Sequence, residues 1–182
     1  MKYTDKVMSI VKDTLALIDQ VEQKREGFKL RHEDGEFTDK WFDVKSKELD
    51  KDIQNLRMEA ARLLQETGNV YCAMVEKSTE ISGAMLHDDA KLLQMDLNMT
   101  PHQFEVLVEK HQGNPLMTQL LREYSNKHEG LYANFAPTGE DKISAFNDFV
   151  GRALNAVREP ELLASAMFLD GHGVPQICPE GE

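Results

Sequence analysis

From Phe42 onward a single phase of the sequence runs for forty residues without a slip. It passes through Phe42, Ser46, Leu49, Ile53, Leu56, Ala60, Leu63, Thr67, Val70, Met74, Lys77 and Ile81, at spacings that alternate four and three. A stripe that recurs every 3.5 residues keeps facing one partner helix and marks a coiled coil. Leu49, Ile53, Leu56, Ala60 and Leu63 form the apolar centre of this seam, and Ser46, Thr67 and Lys77 weaken its outer parts. Gly68-Asn69 lies inside the stripe. A glycine costs about 1 kcal/mol in a helix interior and could serve as a C-cap, but the phase crosses it unbroken. The pattern therefore predicts one helix from a Thr38 cap, followed by Asp39 and stapled by Phe37 and Phe42, through about Ser82.

The partner helix lies just upstream. Thr4 reads as its cap, with Tyr3 and Met8 as a hydrophobic staple, and Val7, Ile10, Val11, Leu15, Leu17, Ile18, Val21 and Phe28 give a broad helical stripe ending near Leu30. The polar run His32-Glu33-Asp34-Gly35-Glu36 is a short turn, so the two helices zip antiparallel. The second helix is the longer. Its surplus from Thr67 carries Val70, Tyr71, Met74 and Ile81, more apolar surface than stays wet. Those four residues are the expected self-association surface, with a dimer as the expected product. The competing expectation is that the C-terminal half covers them.

After Gly83 the pattern changes to shorter helices. Met99-Thr100-Pro101-His102-Gln103-Phe104 has a capping threonine, a proline at the first helical position and a glutamine that completes a capping box. Gly113-Asn114-Pro115 ends that helix and starts another. Residues 130–138 read as a linker, and Thr138 with Asp141 opens a third helix bearing Ile143, Phe146, Phe149, Val150, Leu154 and Val157. The expected fold is all-α: a long antiparallel helical hairpin over 1–83, a small helical C-terminal bundle over 84–168, and a loose tail over 169–182.

Charge narrows the partners. The net charge is −11, with −2 over residues 1–66 and −9 beyond. Such a surface repels phosphate, which argues against nucleic acid and anionic membrane. The apolar runs are too short for a membrane span. Cys72 and Cys178 have no framework spacing, and the first residues do not form a signal peptide, so the expected setting is a reducing cytoplasm.

Candidate chemistry is thin. His102 and His111 are nine apart, which on a helix leaves them on opposite faces, whereas metal-binding pairs sit three or four apart. Neither His32-Glu33-Asp34-Gly35-Glu36 nor His87-Asp88-Asp89 has the alternating oxygen ligands of a calcium loop. His172, in Asp170-Gly171-His172-Gly173, stands alone. No Gly-rich phosphate loop, serine elbow or paired-cysteine motif occurs. The expectation is a protein that is not an enzyme, with no catalytic, cofactor or metal residues.

One succession of residues points further. A charged hairpin is followed by Asp88-Asp89-Ala90-Lys91-Leu92-Leu93, then Met99-Thr100-Pro101, then Glu109 to Met117, then Arg122-Glu123-Tyr124-Ser125-Asn126-Lys127-His128. Over about residues 1–130 this resembles small uncharacterised proteins encoded in tailed phages and prophages of Gram-positive bacteria, from the head and structural gene region. Gly113-Asn114, Met117 and Arg122-Glu123-Tyr124 carry most of the likeness. The resemblance implies a structural or scaffold-like assembly protein in the host cytoplasm or the virion, whose partners are itself and another phage structural protein. It supplies no catalytic residues. The alternative is an acidic regulatory or inhibitory protein that binds a host or phage protein through its C-terminal helices.

Overall fold

The structure, a computed structural model, describes residues 2–95 and 97–171. His172 and Cys178, with the rest of the expected tail beyond Gly171, lie outside the described residues. Among the described residues seven α-helices follow in order: α1 (Tyr3–Glu33), α2 (Asp39–Ser78), α3 (Ala90–Gln94), α4 (Pro101–Lys110), α5 (Pro115–Lys127), α6 (Gly139–Arg158) and α7 (Leu163–Leu169), with a 3-10 turn at Gly83–Met85. There is no strand among the described residues.

The hairpin is present. At 31 and 40 residues, α1 and α2 run about 46 and 60 Å, and they pack against each other. The cap of α1 lies two residues earlier than its sequence signal. Lys2 takes the cap position and Thr4 is buried inside the helix. The reason is aromatic: Tyr3 packs edge-on against Tyr71 at 5.5 Å and Phe146 at 6.4 Å, and burying a ring outweighs a hydroxyl cap. At the far end Gly35, with φ +79°, closes the helix. Its amide donates to His32 O at 3.0 Å and that of Glu36 to Arg31 O at 2.9 Å, a Schellman arrangement. Thr38 caps α2 as expected, its hydroxyl accepting the Trp41 amide at 3.4 Å. Phe37 stacks on Trp41 instead of Phe42, which faces the His32 ring.

The seam of α2 drifts from the expected phase. Leu49, Ile53 and Ala60 are buried, but Leu56 and Leu63 are only half-buried, and beyond Ala60 the buried positions are Leu64, Thr67, Gly68, Tyr71 and Val75. Leu49, Ala60 and Tyr71 are spaced by eleven residues, as are Ile53, Leu64 and Val75. Eleven residues are three turns at 3.67 per turn, the period of a nearly straight helix and not of a left-handed supercoil. α1 keeps the strict heptad through Thr4, Val7, Val11, Thr14 and Ile18.

The chain divides into two compact units, Met1–Cys72 with Ser144–Glu182, and Ala73–Ile143. In the first, α6 joins the hairpin. Phe146 stacks on Tyr71 at 3.9 Å, Val150 lies over Gly68, and Phe149, Ala153 and Val157 continue the buried face. Phe168 of α7 closes on Phe149 at 5.2 Å. Ala153 takes the buried place expected of Leu154.

Gly68 therefore sits inside a continuous helix, not at its end. A Cβ there would meet only Val150 Cγ2, at 3.9 Å, an ordinary van der Waals contact. Gly68→Ala is expected to stabilise the protein by about 0.5–1 kcal/mol, because alanine is the better helix former and fits. Urea denaturation measures this, and a lower midpoint would mean that α6 needs the bare backbone.

The second unit is built on Phe104, Leu107, Val108, Leu121, Tyr124 and Leu131. The Thr100 capping box forms, with the Gln103 amide donating to Thr100 Oγ1 at 3.3 Å and the Thr100 amide to Gln103 Oε1 at 3.0 Å. The stretch 130–138 is pinned, not loose. Gly130 turns it with φ +87°, Ser125 Oγ donates to Leu131 O at 2.6 Å, and Arg122 donates to Ala136 O at 2.7 Å while lying over the Phe135 ring. Thr138 and Asp141 cap α6, and the Thr138 hydroxyl and amide hold the Asp141 carboxyl below its usual range.

Candidate functional site

Within the second unit, the joint between α4 and α5 gathers a cluster of polar and titratable side chains around the buried His111. His111 ends α4, and its carbonyl accepts the Asn114 amide at 2.9 Å and the Thr118 hydroxyl at 3.1 Å. Asn114 does two things at once. Its Oδ1 caps α5 by accepting the Met117 amide at 3.1 Å, and its Nδ2 donates to Met85 O at 2.6 Å. The second bond ties the 3-10 turn to the start of α5 and so delivers the following residues, His87 to Asp89, to the end of α4.

There Asp89 becomes a hub. It holds the N-cap position of α3, but its carboxylate turns to α4. Oδ2 accepts from Lys110 Nζ at 2.7 Å, lies 2.8 Å from His111 Nε2 and 3.3 Å from His87 Nδ1. The Asp89 amide donates to His87 Nδ1 at 3.1 Å, and the two imidazole rings meet at 4.7 Å. His111 is 4% exposed, the one buried histidine among the described residues, while His87 stays open on one side. The Lys110 hydrogen bond, then that of His111, pull the Asp89 carboxyl down to about 2 against a smaller desolvation penalty.

Comparison with known proteins gives no lead to a role: no family model, curated protein or solved structure matches this chain.

As a structural device the cluster is a latch, one carboxylate stitching the loop before α3 to the end of α4. It also has a chemical capacity, because one ligand atom each from His87, Asp89 and His111 lie within 4.8 Å of one another. Sequence spacing missed this set. Each histidine has its own unremarkable neighbourhood in the chain, and only the Asn114 tether brings them together across 24 residues. His102 and His111, which their spacing places on opposite faces, differ accordingly: His102 is exposed on the first turn of α4 and His111 is buried.

The expected self-association residues separate. Val70 and Ile81 are 55% and 49% exposed and Met74 is half-buried, but Tyr71 is fully buried against Tyr3 and Phe146 and offers nothing to a partner. α1 is longer than its signal and reaches as far as Tyr71, so that residue belongs to the core of the first unit. Cys72 beside it is half-buried, with Sγ donating to Asn147 Oδ1 at 3.7 Å.

A different apolar feature lies on the hairpin. Leu17 and Val21 of α1 and Leu56 of α2 line a groove of about 470 Å³, rimmed by Lys24 on the α1 side and Asp52 and Glu59 on the α2 side. Along α1 the stripe passes from Val7 and Val11, both fully buried, to Val21 and Phe28, both half-buried. Two helices alone cannot enclose their own seam.

Proposed function

We propose that this chain is a non-enzymatic helical assembly protein that associates with a second copy of itself through the Leu17–Val21–Leu56 face of its hairpin. The phage or prophage setting, and a scaffold-like role there, rest on the residue pattern between Asp88 and His128. The observation that supports assembly is the groove itself: Leu17 is 45% exposed beside two half-buried seam residues, in a stretch lined only by α1 and α2. A two-fold axis parallel to the helices lays α1 of each copy over α2 of the other. Lys24 of one copy then faces Asp52 and Glu59 of its mate, so the rim is self-complementary. Each large apolar side chain taken from water contributes about 1.5–3 kcal/mol, and three per copy offset the entropic cost of pairing.

The expected result is a dimer by sedimentation equilibrium at tens of micromolar. Leu17→Lys with Leu56→Lys should give a folded monomer with unchanged helical circular dichroism. A wild-type monomer under those conditions would remove the assembly reading. In that event the regulatory reading gains, through a second groove in the other unit formed by Leu92, Leu97, Met99 and Leu107, of about 420 Å³. The acidity of the chain disfavours nucleic acid in either role. No helix among the described residues is long and apolar enough to cross a membrane.

A further inference from the structure

We propose that His87, Asp89 and His111 form a binding site for a divalent transition cation of the zinc class. Two imidazoles and one carboxylate are the donor set that suits such ions, whereas Mg²⁺ and Ca²⁺ favour oxygen ligands. The three groups already converge, with candidate ligand atoms within 4.8 Å of one another. A tetrahedral ion with bonds of about 2.0–2.1 Å separates its ligands by about 3.4 Å. The 2.8 Å between His111 Nε2 and Asp89 Oδ2 must therefore open by roughly half an ångström, while the His87 ring, on a half-exposed side chain, swings in.

The site is held from outside its ligands. Asn114 ties the 3-10 turn to α5, and Thr118 bonds the His111 carbonyl, so both ends of the ligand set are fixed to one helix joint. A cation already serves Asp89: the Lys110 ammonium, 2.7 Å from Oδ2. That ammonium is more than half exposed on its flexible stem and can leave for solvent when a metal arrives. Lys110 is thus a competitor of the metal, and a structural latch and a metal site respond to its removal in opposite ways.

The test is titration calorimetry of the full-length protein with Zn²⁺, supported by the visible absorption of bound Co²⁺ as a report of coordination. The expected result is one Zn²⁺ per chain with micromolar or tighter affinity, and no comparable binding of Mg²⁺. His87→Ala, which removes a half-exposed side chain and leaves the buried ones in place, should weaken Zn²⁺ binding at least about tenfold. Lys110→Ala should tighten it severalfold, although it loosens the latch. Asp89→Asn, which keeps the shape of the side chain, should abolish the Co²⁺ spectrum. His111→Ala is left aside because burial of that ring ties it to folding. The proposal is overturned if Zn²⁺ fails to bind at 100 times micromolar concentration, or if it binds with an affinity that His87→Ala and Lys110→Ala both leave unchanged. The second outcome would place the ion on the acidic surface.

Discussion

Leu64→Asp is expected to unfold the protein or strip most of its stability, while Leu63→Asp one position away costs far less. Leu64 is fully buried, so a carboxylate there is cut off from water. An unpaired buried charge costs several kcal/mol, against a total stability of about 5–15 kcal/mol for an ordinary domain. Leu63 and Leu56 are half-buried, so a carboxylate at either place can reach solvent by a change of rotamer. Urea denaturation followed by far-ultraviolet circular dichroism compares the three variants directly. A loss at Leu63 equal to that at Leu64 would restore the strict heptad and sink the eleven-residue spacing. Lys51→Glu, on the exposed side of α2, serves as the silent control.

Tyr71→Ala is expected to cost about 3–5 kcal/mol, the range for deleting a buried aromatic ring. The ring is fully buried, stacked on Phe146 at 3.9 Å with planes 23° apart and met edge-on by Tyr3. It thus joins three helices, α1, α2 and α6, at one point. The expected signature is non-additivity: Phe146→Ala alone is also costly, but the double variant loses less than the sum by about 0.5–1.5 kcal/mol, the worth of an aromatic pair beyond its buried area. A loss below about 1 kcal/mol for Tyr71→Ala would mean that the three helices are joined elsewhere.

Most local signals form, although the Thr4 cap and the Phe37–Phe42 staple do not. The Thr38 cap, the Thr100 capping box, the Asn114-Pro115 start of α5 and the Thr138–Asp141 cap each depend on residues three or four apart, and each forms. The continuity of α2 across Gly68 was legible for the same reason, since a stripe that continues needs a helix that continues. Phase was harder. Heptad and eleven-residue spacings coincide at Leu49, Ile53 and Ala60 and part only afterwards, where α6 joins the pair. What decides between them is a third helix 75 or more residues downstream, which no window on α2 contains. Tyr71 read as surplus because α1 seemed to end at Leu30 and begin at Thr4, and the few residues by which it is longer carry the helix to Tyr71. The His87–Asp89–His111 cluster was illegible for a related reason. Its members meet through a side-chain amide at Asn114, and the same residue is also a helix cap that explains its presence in the sequence without any further role.

The order in which the two units are threaded also bears on how the chain is made. The first unit is written in two pieces, 1–72 and 144–182, with the whole of the other unit between them. During synthesis at about 5–20 residues per second, Tyr71 leaves the ribosome roughly 4–15 s before Phe146. Residues 73–143 are by then complete and free to close on short-range contacts, which form fast. The hairpin meanwhile waits with Tyr71 lacking the Phe146 ring that stacks on it. The core that the hairpin begins is thus completed only by a helix that follows the whole of the other unit in the chain.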